Sequence, residues 1–311
     1  QVLGIAHWGQ DRVRIVVDMH LEGPGEDGYQ SYLRKDIWVN GIPRMASELV
    51  GVVNAVLFDA EDIQLVSGPP AVRRRYLDIL VCQLDRPYLR ALQRYQKVVF
   101  QRNHLLRLLR ERRAQPGEMD FWNEAMVREG AYITLRRHQV VQELRHLVSG
   151  LHCELTEAQE ELSMEYVPSI PVEGMEKEDI RRSFQRTLEE GQERELALGS
   201  SQWGPHRDDL RLMVGKLEAA SYASRGQART LAITLKLAEG TLLERERGES
   251  PILLLDDVFS ELDASRRRRL LEYVSRSQQA LVSTTDLDRI ENPFLAQASK
   301  FLVEKGSIKP L

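Results

Sequence analysis

Ile252-Leu253-Leu254-Leu255 runs straight into Asp256-Asp257, and Val258-Phe259-Ser260-Glu261-Leu262-Asp263 follows. An unbroken apolar run of this length reads as a strand buried on both faces of a parallel sheet. Ligands of open α/β sheets bind at the carboxyl ends of such strands, where the two carboxylates fall. Adjacent carboxylates there repel each other and lose hydration unless they share a proton or a cation. The usual cation is Mg²⁺ carried in with a nucleoside triphosphate. In that chemistry Asp256 holds the metal, directly or through water, and Asp257 orients or deprotonates the attacking water. The alternative is a strand that ends in solvent with two acidic turn residues.

Upstream, Ala223-Ser224-Arg225-Gly226-Gln227-Ala228-Arg229-Thr230 opens a helical run that continues through Leu231, Ile233, Leu235, Leu237 and Leu242. Ser224 suits the N-cap, and Gly226 lets another group approach the backbone closely. The free N–H groups of a helix start attract phosphate. Many helices begin this way. The order of helix, spacer, apolar strand, Asp-Asp and Ser-x-Leu-Asp is far more specific than any one piece.

That order resembles the second half of an ABC-type ATPase head of the SMC-like kind. Ser224-Arg225-Gly226-Gln227 resembles the signature motif, Leu253 to Asp257 the Walker B strand, and Ser260 to Asp263 the D-loop. Three further stretches extend the likeness over nearly the whole chain, to the RecF family of bacterial recombination and repair proteins. They are Gly204-Pro205-His206-Arg207-Asp208-Asp209-Leu210; Phe58 to Ile63 with Arg73-Arg74-Arg75-Tyr76-Leu77-Asp78; and Gln101-Arg102-Asn103-His104-Leu105-Leu106.

The resemblance implies an α/β fold: an ABC-type ATPase head, with a mixed sheet and flanking helices, carrying an inserted α-helical lobe. It divides the chain at 1–70, 71–199 and 200–311. It implies ATP and Mg²⁺ as cofactors, with Ser224, Gly226, Gln227 and Asp263 facing the nucleotide. Residues 59–62 occupy the Q-loop position, where Glu61 stands for the usual glutamine. Thr285 follows the next strand, where many ABC ATPases carry a histidine that meets the γ-phosphate. With only a hydroxyl there, hydrolysis is expected to be slow, since one lost charge-stabilising contact costs about 2.7–4 kcal/mol in a transition state. The implied partners are double-stranded DNA and gap junctions, a second copy in an ATP-dependent homodimer, and RecR and RecO.

The phosphate-binding sequence G-x-x-x-x-G-K-[ST] does not occur in the 311 residues. Family members carry it near their N-terminus, and this chain begins with Gln1 inside a strand pattern, so a fragment is expected. Such a chain is expected not to bind ATP in cis with normal affinity, while Ser224 and Asp263 still serve a partner that has its own phosphate loop. The competing reading is a nucleotide-independent DNA-binding or scaffolding module. A third is an SMC-like ATPase outside repair, although the chain has no room for a long coiled-coil arm.

Composition sets outer limits. Apolar residues make up 42% and charged residues 29%, which suits a chain with a real core. No run of 18 apolar residues predicts a membrane span, and the start has neither the basic nor the apolar region of a signal peptide. Cys82 and Cys153 read as reduced core residues of a cytoplasmic protein. The net charge of −4 hides an uneven distribution: residues 71–150 hold sixteen Arg/Lys against eight Asp/Glu, and residues 151–200 five against thirteen. Arg73, Arg74 and Arg75 are candidates for phosphate contacts, as are Arg86, Arg90 and Arg94, which share a helix face. Four or five such contacts would give log K a slope of about −4 against log salt. A solvated helix face is the commoner meaning of such runs, and the same holds for Arg266 to Arg269.

Periodicity places the elements that position these groups. Residues 1–22 alternate as strands, Gly23 to Gly28 is a turn, 29–40 return, and Asn40-Gly41 turns again. Met45 to Val53 reads as a short helix and Val53 to Phe58 as a strand. Residues 71–150 are helical, broken at Asp85-Arg86-Pro87 and Gln115-Pro116-Gly117. Leu162–Val167 is a strand, 177–191 a helix, and Leu210–Val214 a strand. Ala280–Ser283 and Phe301–Val303 are the last strands. His206 with Asp208 and Asp209 reads as a turn knitted by charged hydrogen bonds, since the spacing does not suit zinc.

Overall fold

The computed structural model describes residues 2–8, 11–22, 32–172, 174, 176–290 and 292–311. The expected turn at Gly23 to Gly28 lies outside the described residues. Two compact units emerge, Gln1–Asn54 and Ala55–Leu311.

The first unit is an antiparallel meander of β1 (Val2–Trp8), β2 (Asp11–Glu22), β3 (Tyr32–Val39) and β4 (Ile42–Arg44), followed by one helical turn, α1 (Ala46–Leu49). Asn40 and Gly41 both have positive φ, +51° and +79°, which is the tight hairpin turn that this residue pair favours. The helix predicted over Met45 to Val53 is only this single turn.

The second unit opens with β5 (Ala55–Phe58), a 3₁₀ turn at Ala60–Ile63 and α2 (Gln64–Ser67). Three long helices follow: α3 (Pro70–Leu84), α4 (Arg86–Arg110) and α5 (Met119–Leu155). Asp85 caps α4 by accepting from the Tyr88 N–H, and Pro87 lies in the first turn, where its missing N–H is harmless. Next come β6 (Leu162–Val167), α6 (Lys177–Leu198), β7 (Asp209–Val214), β8 (Leu217–Glu218) and α7 (Ala219–Tyr222). The chain ends with α8 (Arg225–Arg247), β9 (Ile252–Asp256), α9 (Ala264–Arg276), β10 (Ala280–Ser283), α10 (Asn292–Gln297) and a hairpin of β11 (Phe301–Glu304) and β12 (Ser307–Pro310). The strand β12 adds to the elements expected from the sequence.

The strand β9 lies between β5 and β10, parallel to both, and β6–β7–β8 form a separate antiparallel sheet. Helix α8 lies against β5, α3 and α5, and is buried all round from Thr230 to Gly240, with Lys236 and Glu239 paired within it. Cys82 is buried as expected, but Cys153 is exposed on α5, and neither forms a disulfide.

The stretch Gly204 to Asp209 is the knot that joins helices to sheet. Gly204 has φ +120°, and a Cβ there would lie 2.3 Å from the Tyr95 hydroxyl. Arg137, on α5 and 2% exposed, donates to Asp78 Oδ1 (2.7 Å), Tyr88 Oη (3.0 Å) and the Pro205 carbonyl (2.6 Å), and lies 3.5 Å from Asp208 Oδ2. Asp208 also accepts from the Tyr166 hydroxyl and the Ser169 N–H. Arg73 forks onto both Asp209 oxygens (2.8 and 2.9 Å), and Arg74 donates to the Asp208 carbonyl. The proposed DNA contact at Arg73 is therefore corrected: the side chain is buried, and its guanidinium is held by Asp209 and the Gly68 carbonyl. Arg74 is also drawn inward, and only Arg75 of the three is exposed.

His206 sits in the same knot. Its Nε2–H donates to the Ser201 carbonyl and its Nδ1 accepts from the Tyr95 hydroxyl (2.7 Å), an arrangement for the neutral ring. Burial pushes its pKa down to about 4. In the unfolded chain the ring titrates near 6.5, so between 6.5 and 4 the unfolded state binds more protons. Stability is complete above 6.5 and falls as the pH drops toward 4, by about 3 kcal/mol from this residue. His206→Gln is expected to flatten the loss of urea stability between pH 7 and pH 4.5. An unchanged acid limb would mean that the ring is not held neutral.

Candidate functional site

The carboxyl ends of β5, β9 and β10 bring three loops together. Phe58 pairs with Leu255, and Ser283 with Asp256, so Asp59, Asp256-Asp257 and Thr284-Thr285 emerge side by side. Asp256 is exposed, and one of its oxygens accepts from the Ser283 hydroxyl. Asp257 turns into the left-handed region (φ +50°), which Asp tolerates better than most residues, and its N–H donates to the Ser283 carbonyl and hydroxyl oxygens, 3.2 Å each. Ser283 thus fixes the Asp256 carboxylate and the Asp257 backbone. In the sequence Ser283 reads only as a strand residue; its register opposite Asp256 gives it this role.

Beside Asp257 lies a small cavity of about 40 Å³, lined by Asp59, Asp62, Arg229 and Asp257 and floored by Phe58 and Ile233. Glu61 is not part of it. In the 3₁₀ turn Asp59 and Asp62 cap each other: Asp59 accepts from the Glu61 N–H, and Asp62 from the Asp59 N–H. Glu61 is left exposed and Asp62 points in, so the acid of this turn that faces the cavity is Asp62. The Asp-x-x-Asp spacing, a capping box, would have given this register. Burial pushes the Asp62 carboxyl up to about 6, against the pull of Lys236. Lys236 is paired at 2.8 Å with buried Glu239 on α8. Arg229 also escaped the sequence analysis, although its place one turn into α8 puts it on the face toward β5.

The start of α8 is a reciprocal capping box. Ser224 Oγ accepts from the Gln227 N–H (3.2 Å), and Gln227 Oε1 accepts from the Ser224 N–H (2.9 Å). With its oxygen engaged as acceptor, the Ser224 hydroxyl proton is free to donate outward. Ser224, Arg225 and Gly226 are exposed. Both ends of the Gln227 amide are engaged within the chain: its Oε1 by the Ser224 N–H and its Nε2 by Glu160 Oε1 (2.8 Å). Asp263 caps α9, accepting from the Arg266 N–H (2.9 Å) and Arg266 Nη1 (2.7 Å), and these bonds hold its carboxyl below the usual range. The arginines after it are not a free basic run: Arg267 donates to the Leu262 carbonyl and Arg269 to Glu157. Thr285 is exposed in the turn after β10. Among the described residues, no group of three His, Cys, Asp or Glu side chains is placed to hold a metal ion, and no helix is long and apolar enough to cross a membrane. Asp256 can supply one carboxylate oxygen to a cation whose other ligands come from phosphate and water.

A strand ending in two carboxylates, parallel neighbours on either side and an N-capped helix packed across them define an ABC-type ATPase head, here with a helical lobe built from α3 to α6. No family model matches the chain. It is 40% identical to the DNA replication and repair protein RecF of Chloroflexus aggregans, over 96% of this chain and 78% of that protein. It is 38% identical to the RecF of Halalkalibacterium halodurans, over 88% and 75%. Its fold superposes on the recombination mediator protein RecF with ATPrS, of the RecFOR pathway, with a TM-score of 0.83 and 29% identity over 99% of this chain. A second structure of that mediator, with ATP, gives 0.81 and 30%. The chain belongs to the RecF family.

Proposed function

We propose that this chain works as an ATP-switched recombination mediator. Two heads close on ATP and Mg²⁺, the α8 start of one covering the phosphates held by the other, and the closed pair grips duplex DNA near single-strand gaps. With RecO and RecR as partners it supports recombinase loading; hydrolysis is slow and releases the pair. In this reading residues 1–70 and 200–311 form the ATPase lobes and 71–199 the helical lobe.

The observation that carries the reading is the exposed capping box at Ser224, which leaves a hydroxyl proton and free first-turn N–H groups facing outward. Asp256 supplies the metal-side carboxylate, Asp257 the water-side one, and Asp62 takes the Q-loop role. The relatives' names support the repair role, and the ATP and ATPrS named with the two solved mediators support the choice of nucleotide. Exposed Arg75, Arg86 and Arg90 are the candidates for DNA phosphates.

Sedimentation with and without Mg²⁺–ATP tests this, using the chain alone and mixed with a RecF head that carries a phosphate loop. Association in the mixture that requires ATP, and that Ser224→Arg removes, is expected. DNA binding of equal strength with and without ATP, and no ATP-dependent association, would favour the scaffolding alternative.

A further inference from the structure

The turn between α5 and β6 reaches the starts of two helices at once. Glu157 and Ala158 adopt positive φ, +54° and +60°, and reverse the chain after α5. On one side, Glu160 Oε1 accepts from Gln227 Nε2 (2.8 Å), the residue whose Oε1 takes the Ser224 N–H. Behind Glu160, fully buried His152 in the last turn of α5 places Nε2 3.4 Å from Glu160 Oε2. Its Nδ1 lies 3.1 Å from Thr234 Oγ1, and that hydroxyl donates to the Thr230 carbonyl. Thr230 in turn donates to the Gly226 carbonyl. On the other side, Glu157 accepts from Ser265 Oγ (3.2 Å) and Arg269 Nη2 (3.3 Å), in the helix that Asp263 caps.

We propose that Glu160 is a positioning residue for the signature motif, holding Gln227 so that Ser224 keeps its hydroxyl proton for a phosphate. The chemistry requires an acceptor here. A primary amide with a free Nε2 rotates and shares its oxygen with water, and the Ser224 N–H then loses its partner. A carboxylate against Nε2 makes a charge-assisted bond that fixes the amide plane. The oxygen of Gln227 then faces Ser224, and Ser224 Oγ is held as acceptor by the Gln227 N–H. Glu157 extends the same turn to α9, so the starts of α8 and α9 move together. The positioning role of Glu160 rests on the ATP-site reading above; the contacts themselves do not.

Amide hydrogen exchange on the whole chain tests it, with Glu160→Ala, Glu160→Asp and Glu160→Gln. Glu160→Gln keeps an oxygen for Gln227, whereas Glu160→Asp keeps the charge and falls one methylene short. The Ala and Asp variants are expected to speed exchange at Ser224 and Gln227 about tenfold, the value of one hydrogen bond to a charged group. The Gln variant, which keeps the bond without its charge, should fall between the parent and the Ala variant, and the β9 amides should not change. Equal loss in all three variants, or no loss in Ala and Asp, overturns the proposal. If the Ala variant unfolds, the Asp variant decides. In the ATP-dependent association assay, Ala and Asp are expected to weaken association about tenfold and Gln to restore part of it. Failure of the unsubstituted chain to associate would sink the ATP reading alone, and the exchange pattern would still judge Glu160.

Discussion

Replacing Arg137 with Met is expected to lower stability by about 3–5 kcal/mol, the range for removing one partner of a buried ion pair. The loss comes from what is left behind. Asp78 and Asp208 both rely on this guanidinium, and Asp208 is 1% exposed. Burial alone raises the Asp208 carboxyl pKa, with Arg137 the largest opposing influence, so removal of Arg137 drives that carboxyl toward protonation or the knot toward opening. The Pro205 carbonyl loses a donor at 2.6 Å as well. The neighbouring Arg136 is the control. It donates to Asp85 at 2.8 Å but is 29% exposed, so Arg136→Met is expected to cost under about 1 kcal/mol. Urea unfolding at pH 7 measures both. Equal losses would mean that the knot around Asp208 does not hold helices to sheet.

Arg137 also marks where sequence reasoning stops. The strand Ile252–Asp256 was legible because four consecutive aliphatic residues demand burial on both sides, and the two acids after them fall where the sheet ends. Ser224 was legible because a capping serine acts within one helical turn. Those signals are local. Arg73, Arg102 and Arg137 stand in basic helical segments, and basic residues at helical spacing usually face solvent or a polyanion. Their partners lie far along the chain: Asp209 for Arg73, Glu195 and Ser201 for Arg102, Asp78 and Pro205 for Arg137. Only the topology brings them together. Part of the excess of basic residues over 71–150 is answered by acids outside the segment, Asp209 for Arg73, Glu195 for Arg102 and Asp208 for Arg137, which leaves a smaller set for DNA than the sequence suggested. Which acid of the 59–62 turn lines the cavity was hidden for a different reason. Glu61 resembles glutamine more than Asp62 does, but the 3₁₀ turn is set by the Asp59–Asp62 cap and turns Asp62 inward.

The second large effect separates the two carboxylates of β9. In a form of the chain given a phosphate loop of its own, so that Asp256 and Asp257 face the ATP it holds, Asp257→Asn is expected to slow ATP hydrolysis by the closed pair by about 10²–10⁴-fold, the contribution of a general base, and to leave ATP-dependent association in place. Asn suits the position because it tolerates the left-handed backbone (φ +50°) that Asp257 adopts, and the Asp257 N–H bonds to Ser283 do not involve the side chain. Asp256→Asn is expected to remove both activities. Asn still accepts from the Ser283 hydroxyl, so the β9–β10 end keeps its shape, but the charge that holds Mg²⁺ is gone. Single-turnover hydrolysis and sedimentation of that loop-bearing form read the two properties independently. If Asp257→Asn lost association as fully as Asp256→Asn, both carboxylates would serve the metal, and the attacking water would have to be oriented from elsewhere. Asp62 would then be the first group to test, because it lines the same cavity and its pKa near 6 places its proton within reach of neutral pH.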